Sequence, residues 1–327
     1  MQVTLQIDEL SALLESAGPE FVSDSLNQLL SWSRPLQVPE NTPEEMLSRF
    51  FQSSAATAFY TAYADGLMPI AGEYWLRADP VHLQAGMSRV FLAACGAPDL
   101  PTEDRQQLQE SLNQHFAEDG LAFFLPNNQR WYIRLAEGHA CVPTDGTAGL
   151  FPSPRVLLGK DISVATTATD KFWQQCFTEL QMLLFSEPCN KQRESQGHTA
   201  ITGLWLWAGG SVAALPVPQV NLCSWGKSSL LQGLCLRSES TWQEAIKIGN
   251  EGEHLIHWST EHTGSSEEQL QLLEQQVFTP LCTAIKQGTV VQLRVADAGC
   301  WEIRQRRRWP WQKPQNAWAM LVKNEQI

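Results

Sequence analysis

The first part of the chain carries a helical pattern. Between residues 5 and 31 the apolar residues recur three and four positions apart, and Gly18-Pro19 interrupts them, so the pattern predicts two short amphipathic helices. A further helix is predicted over 43–63, where Thr42 and Pro43 are typical of a helix N-terminus. We therefore assign residues 1–71 to a helical N-terminal region.

From residue 72 onward, short apolar runs alternate with helical patterns. The runs predict strands at 74–79, 121–125, 130–135, 202–207, 233–236, 254–258, 290–295 and 300–304. The helical patterns predict helices at 104–116, 169–185, 241–248 and 266–287. This alternation predicts an α/β fold in which a sheet is covered by helices. We divide this part of the chain into segments 72–200 and 201–327.

Composition narrows the classes of protein. The chain has 327 residues, of which 43% are hydrophobic, and a net charge of -12, which argues against nonspecific binding of nucleic acid or anionic membranes. No run approaches the roughly 18 apolar residues of a membrane span, and the first ten residues lack a signal-peptide pattern, so we expect a cytoplasmic protein. The eight cysteines are scattered without a C-x-x-C pair, which indicates reduced thiols.

Several segments together suggest a family. They are WLRADPVHL at 75–83, NQHF at 113–116, RWY at 130–132, ELQMLL at 179–184, PCN at 188–190 and LWLWAGG at 204–210. In this order they resemble the RpfE-type regulatory family, which is similar to cofactor-independent phosphoglycerate mutases. The resemblance covers about residues 72–311. It implies a truncated alkaline-phosphatase-like core in 201–327, a mutase-insertion-like segment in 72–200 and a helical N-terminal addition.

The mutases that the family resembles use two divalent metal ions, such as Mn or Zn, and a serine nucleophile. Their metal-binding aspartate directly follows the first strand, and the serine lies in a loop rich in Gly, Asn, Asp and His. Residues 1–71 contain no such loop and no histidine, and we expect Asp8, Asp24 and Asp65 in or beside helices.

Other positions also depart from the mutase pattern. The resemblance implies His-Pro-Val-Asn where this chain has Glu187 before Pro-Cys-Asn. Near the C-terminal strands, His257, Glu261 and His262 remain as metal candidates. A strand end followed by a solvated loop is the simpler interpretation of these three, since no clear carboxylate partners lie nearby. We therefore predict no cofactor, with two divalent metal ions as the alternative.

One set of polar residues is suited to holding a small anionic ligand. Arginines bind a phosphate or carboxylate through paired N–H donors, while acidic and amide side chains orient the arginines. The set consists of Arg77, Asp79, His82, Arg130, Asn190, Arg193 and Glu194. The alternative, which we favour, is a buried polar network that ties helix ends to the sheet.

Two smaller motifs leave alternatives open. Asp79-Pro80-Val81-His82 fits either an acid-base pair or a helix N-cap at Asp79, and the cap is favoured. Gly209-Gly210 and the glycines at 146–149 lack the spacing of phosphate-binding loops.

The segment 301–313 is rich in arginine and tryptophan. It could contact nucleic acid or lie at a membrane interface, although a final strand and tail packed on an acidic body is the favoured interpretation. The sequence as a whole favours a noncatalytic regulatory or ligand-sensing protein. The alternatives are a metal-dependent phosphoglycerate mutase or phosphatase-type enzyme, and an interaction scaffold that acts through 304–313.

Overall fold

The chain forms two compact units. A computed structural model describes residues 2–37, 47, 50–51, 56–86, 89–142, 151–163, 170–212, 221–225, 228–238, 241–243, 254–259, 265–295, 298–305 and 316–322. Unit 1 comprises Met1–Gln52 and Val217–Ile327, and unit 2 comprises Ser53–Pro216. Each unit combines a sheet with helices, so the predicted α/β class is confirmed.

The described strands are β1 (Gln2–Ile7), β2 (Ser33–Leu36), β3 (Tyr74–Ala85), β4 (Val90–Cys95), β5 (Leu121–Phe124), β6 (Tyr132–Leu135), β7 (Gly203–Ser211), β8 (Asn221–Trp225), β9 (Thr241–Gln243), β10 (His254–Trp258), β11 (Val290–Val295) and β12 (Gly299–Ile303). The described α-helices are α1 (Leu10–Ala17), α2 (Asp24–Ser31), α3 (Thr57–Ala64), α4 (Thr102–His115), α5 (Pro154–Leu157), α6 (Lys171–Ser186), α7 (Pro188–Ser195), α8 (Ser229–Ser238), α9 (Ser266–Leu273), α10 (Thr279–Lys286) and α11 (Ala317–Leu321). A π-helix, Glu274–Phe278, joins α9 to α10. None of these helices is both long enough and apolar enough to cross a membrane.

Unit 1 contains a seven-stranded sheet in the order β2-β12-β11-β1-β10-β8-β9. The strands from β11 to β9 are parallel, and β12 and β2 complete one edge in antiparallel pairing. Strand β1 lies inside the sheet because its alternating residues Val3, Leu5 and Ile7 bury one face in the core. The carboxyl ends of β11, β1, β10 and β8 therefore meet at one edge.

One face of this sheet packs on helices. The core cluster of unit 1 joins Val3, Leu5 and Ile7 to apolar residues of α1, α2, α9, the π-helix, α10 and α11. Capping side chains mark the N-termini of two of these helices. The Ser23 side chain caps α2 by accepting from the Leu26 amide at 3.1 Å, and Ser265 and Glu268 form a capping box before α9.

Unit 2 is built around the long strand β3. It pairs antiparallel with β7 along one side and with β6 and β4 in succession along the other, and β5 pairs with β6. Helix α6 covers the sheet with buried Trp173, Cys176, Leu180 and Leu184. The predicted apolar face of this helix is confirmed, since Phe172 and Leu183 also pack against the core.

A bulge interrupts the pairing of β3 with β7. Trp75 lies opposite Gly210 and Arg77 lies opposite Trp207, so β7 carries one extra residue between the two pairs. Ala208 takes φ 55° there, a left-handed conformation that is rare for residues other than glycine. Gly210 lies against Ala56, and a Cβ atom added at Gly210 would stand 2.7 Å from the Ala56 Cβ. The glycine pair thus serves close packing inside a strand.

The two units divide the chain differently from the predicted segments. Residues 2–7 form β1, which the sequence analysis placed in a helical region, while the two helices predicted before residue 31 are confirmed as α1 and α2. Strand pairing explains the rest of the difference. β1 pairs with β10 and β11 and so belongs to unit 1, whereas β7 pairs with β3 and so belongs to unit 2 rather than to the segment 201–327.

Two predicted elements of unit 1 are wrong. The apolar run at 233–236, predicted as a strand, lies within helix α8, where Leu230, Leu231 and Leu234 are buried. Residues 241–243, predicted as the start of a helix, form β9 and pair with β8. Periodicity does not separate a short buried strand from a short buried helix, which explains the error at 233–236. The pairing of 241–243 with β8 is a tertiary contact that the local pattern does not show.

Candidate functional site

Arg77 and Asp79 form a buried pair on one face of β3. They are two residues apart, so their side chains point to the same side of the strand. Arg77 Nε donates to Asp79 Oδ1 at 2.9 Å, and Nη2 donates to Oδ2 at 2.7 Å. Arg77 is 7% exposed and Asp79 is 4% exposed. This two-point geometry is the strongest form of an arginine–carboxylate pair.

Aromatic rings enclose the pair. The Arg77 guanidinium lies 5.1 Å from the ring centroid of Trp207 and 5.5 Å from that of Tyr132. Trp207 Nε1 donates to Asp79 Oδ2 at 2.7 Å, and the Trp131 amide donates to Oδ1 at 3.3 Å. Burial raises the pKa of the Asp79 carboxyl, against the opposing effects of the Arg77 charge and the indole hydrogen bond.

Arg130 belongs to a second pair that adjoins the first. It donates to Asp65 through Nε at 2.8 Å and through Nη2 at 2.5 Å, and the Tyr132 hydroxyl also donates to Asp65. Burial would raise the pKa of Asp65, but the hydrogen bonds from Arg130 and Tyr132 and the charges of Arg130 and Arg77 lower it below its usual value. Burial raises the pKa of Tyr132. We call Asp65, Arg77, Asp79, Arg130, Tyr132 and Trp207 the polar network.

Asn190 and Arg193 form a separate cluster that holds the chain before β7. Asn190 Nδ2 donates to the carbonyl groups of Leu184 at 2.7 Å and Ile201 at 2.8 Å, and Asn190 Oδ1 accepts from the Ile201 amide. Arg193 donates to the carbonyl groups of Thr199 at 3.0 Å and Pro98 at 2.9 Å. Both residues are buried on helix α7 and bind backbone carbonyl or amide groups. Contacts of this kind are what the structural alternative in the sequence analysis describes.

The remaining members of the predicted set do not join the polar network. His82 Nδ1 lies 2.9 Å from the Ala200 carbonyl oxygen, and it is three residues from Asp79 along β3, so the two side chains point to opposite faces. The predicted helix cap at Asp79 is wrong, because Asp79 and Pro80 lie inside a strand. Glu194 is exposed on α7. Glu261, His262 and residues 306–313 lie outside the described residues.

A second group of polar side chains lies at the carboxyl edge of the parallel strands of unit 1, and of its members the sequence analysis named only His257. In register, Gln6 of β1 lies between His257 of β10 and Arg294 of β11, and Ser224 of β8 lies beyond His257. Register partners in parallel strands point to the same face, and neighbours stand about 4.8 Å apart. We call Ser224, His257, Gln6 and Arg294 the strand-end row. Open parallel sheets bind their ligands at this edge.

Asp8 adjoins the row. It directly follows β1, and its Oδ1 lies 3.3 Å from His257 Nε2 and accepts from Gln6 Nε2 at 3.3 Å. His257 is fully buried, and its Nδ1 lies 3.2 Å from Ser224 Oγ. The distance between His257 Nε2 and Asp8 Oδ1 is that of an ion pair, but the angles at these atoms do not make a hydrogen bond. Asp8 lies beside α1, as expected, and it also follows β1, which the sequence analysis did not predict.

The residues present were compared with the two-metal centre that the resemblance implies. Asp8 and His257 offer one carboxylate oxygen and one imidazole nitrogen. No group of three histidine, cysteine or acidic side chains gathers within the described part of the chain. A centre for two divalent ions needs several such ligands around each ion. The described residues therefore do not complete that centre.

Comparisons with known proteins were also made. No protein-family model and no curated protein matches the chain. A cofactor-independent phosphoglycerate mutase from Thermoplasma acidophilum is similar in structure, with 14% identity, 92% of this chain and 88% of that chain covered, and a TM-score of 0.41. The PH0037 protein from Pyrococcus horikoshii has 11% identity, covers 93% and 87% of the two chains, and gives a TM-score of 0.46. At these values, neither likeness supports a transfer of activity or residue roles.

Proposed function

We propose that this protein is a noncatalytic, ligand-sensing regulator that acts in the cytoplasm and derives from a phosphoglycerate-mutase-like ancestor of the RpfE type. The proposal rests on the side chains present beside Asp8, at the carboxyl edge of the parallel strands of unit 1. Among the described residues at this edge, one carboxylate faces one fully buried imidazole, whereas phosphoryl transfer by two metal ions requires several ligands and an accessible nucleophile. The ancestry rests on the sequence motifs within residues 72–311.

The contacts of the residues predicted to bind a ligand support a structural role for most of them. Arg77, Arg130 and Arg193 each donate to acceptors within unit 2. Buried donors with acceptors stabilise a fold, and a ligand would have to displace those acceptors to use the same donors. A sensing function therefore needs a site other than these three arginines.

The test combines metal content with activity. Protein purified without chelator is dialysed against Mn and Zn and analysed for bound metal, then assayed for interconversion of phosphoglycerates and for phosphatase activity. We expect less than one ion per chain and no activity above that of the Asp8→Asn variant. About two tightly held ions per chain, together with activity that Asp8→Asn abolishes, would overturn the proposal.

One observation favours the second candidate function, a metal-dependent phosphotransferase. Asp8 Oδ1 and His257 Nε2 are 3.3 Å apart without hydrogen-bond direction. Two ligands on one tetrahedral zinc ion, with bonds of about 2.1 Å, stand roughly 3.4 Å apart. The same metal analysis decides between the two candidates, because the enzyme requires bound ions and the sensor does not.

A further inference from the structure

Arg294 differs in its contacts from Arg77, which is buried, and from Arg130, which is partly buried. Its Nε and Nη1 atoms are buried, and neither has a hydrogen-bond acceptor among the residues that the structure describes. Its Nη2 atom reaches Gln292 Oε1 at 3.4 Å, near the outer limit for a hydrogen bond. Arg77 and Arg130, by contrast, each hold a carboxylate at two points. Arg294 thus carries a positive charge and two donor atoms, Nε and Nη1, that the described residues leave without an acceptor.

The nearby carboxylates are engaged elsewhere. Glu302 faces Gln292 from β12, but it accepts from Arg304 Nη2 at 3.0 Å. Asp8 contacts His257 and Gln6. Burying a guanidinium without a counter-charge is unfavourable, so such a group is expected to have an anionic partner. Within the described residues, no side chain of this protein supplies that partner.

The surroundings of Arg294 fit an oxyanion. Gln6 lies opposite Arg294 in register, about 4.8 Å away between strands. Arg294 as a residue is partly exposed, while its Nε and Nη1 atoms are buried. The group also lies at the carboxyl edge of the parallel strands, where α/β sheets bind ligands.

We propose that Arg294 binds the oxyanion group, phosphate or carboxylate, of a small ligand, with Gln6 beside it in the strand-end row. The planar guanidinium offers a side fork of Nε and Nη2 and an end fork of Nη1 and Nη2, and an oxyanion on either fork would replace the long contact from Nη2 to Gln292. This inference rests on the proposed ligand-sensing function and gives it a site. It places the anion at Arg294 rather than at Arg77, Arg130 or Arg193. Those three arginines, which the sequence analysis singled out, donate to acceptors within unit 2.

The experiment uses the full chain and compares Arg294→Met with Arg304→Met. Both variants lose one guanidinium, but Arg304 is largely exposed and paired with Glu302, so it serves as the matched control. Inorganic phosphate and succinate are titrated separately by calorimetry and thermal unfolding, with sodium chloride at equal ionic strength as the blank. The two anions distinguish a phosphate ligand from a carboxylate ligand.

We expect at least one of the two anions to bind and to raise the unfolding temperature. Arg294→Met should weaken that binding at least about tenfold, because the lost interaction is charge-assisted and two-pronged, while Arg304→Met should leave it unchanged. Without anion, Arg294→Met should unfold at or above the temperature of the unchanged protein, since it removes an uncompensated buried charge. Arg294→Lys keeps the charge and should bind with intermediate affinity.

Absence of binding by both anions would overturn the inference, and so would equal binding by the unchanged protein and Arg294→Met. If Arg294→Met does not fold, equal binding by Arg294→Lys and the unchanged protein overturns the inference in the same way. These outcomes are separate from the test of the proposed function. Metal-dependent phosphotransfer would refute the noncatalytic sensor while leaving the dependence on Arg294 intact, and failure of anion binding would leave the metal result unchanged.

Discussion

Removing the Asp79 carboxylate should destabilise unit 2 strongly. In Asp79→Ala the Arg77 guanidinium stays buried between the rings of Trp207 and Tyr132 and loses both of its bonds to Asp79. Breaking a buried ion pair by removing one partner costs about 3–5 kcal/mol. The Trp207 indole and the Trp131 amide also lose their acceptor. We therefore expect a loss at the upper end of that range.

The matched variant replaces both members of the pair. In Arg77→Met with Asp79→Leu, no charge remains buried, and such replacements are often neutral or stabilising, although the two tryptophan donors still lack an acceptor at a cost of about 1–3 kcal/mol each. The double variant should therefore be more stable than Asp79→Ala by at least about 2 kcal/mol. Urea unfolding followed by tryptophan fluorescence measures both.

A small effect would refute this reasoning. If Asp79→Ala lost less than about 1 kcal/mol, the pair would behave like a solvent-screened surface ion pair, and its apparent burial would be energetically irrelevant. If the double variant were no more stable than Asp79→Ala, the loss would come from packing or from the tryptophan donors rather than from the unpaired charge. The first result would remove the argument that the network is structural, and the second would remove the unpaired charge as the cause of the loss.

Three further predictions concern single sites. The lowered pKa of Asp65 stabilises the fold at neutral pH, and this contribution is lost as the pH falls below about 4, so Asp65→Asn should flatten the acid limb of stability measured by urea unfolding between pH 5 and 2. Gly210→Ala should destabilise unit 2 by about 1–3 kcal/mol through its clash with Ala56, whereas Gly138→Ala, which meets no atom, should show only its backbone strain in the same assay. Cys95 is exposed, so it should account for the fastest reaction with a thiol reagent, and Cys95→Ser should remove that phase.

Controls for the last prediction come from the buried thiols. Burial raises the pKa of Cys189, Cys223 and Cys282 to about 11, and the thiolate is the reactive form. These cysteines should react only after unfolding in urea. A fast phase that persists in Cys95→Ser would contradict the described exposures.

Elements with a strong local signal could be predicted from the sequence. The helix at 169–185 has regular apolar spacing, and an aspartate cap at Asp170 accepts from the Phe172 amide at 2.8 Å. The hairpin of β5 and β6 follows from two apolar runs around a polar turn. Each pattern is complete within about 20 residues of chain, so no distant partner was needed to recognise it.

β1 illustrates why other elements were missed. Its residues Val3 to Ile7 alternate apolar and polar, which is a strand pattern, but the sequence analysis counted Leu5 with the helical spacing that follows it. Its partners are residues 254–258 and 290–295, which lie far along the chain. The strand-end row depends on that register, because it joins side chains from four strands. Sequence spacing alone could not show that Gln6, His257 and Arg294 are neighbours.

The pairing of β1 has a consequence for synthesis. Unit 2 is one continuous segment and can fold as soon as residue 216 has left the ribosome, whereas β1 needs β10 and β11. At typical rates of about 5–20 residues per second, β1 waits for tens of seconds as an unpaired strand. An open strand with buried-type residues Val3, Leu5 and Ile7 can pair wrongly during that interval. In the nascent chain, β1 is therefore expected to need protection until β10 and β11 emerge.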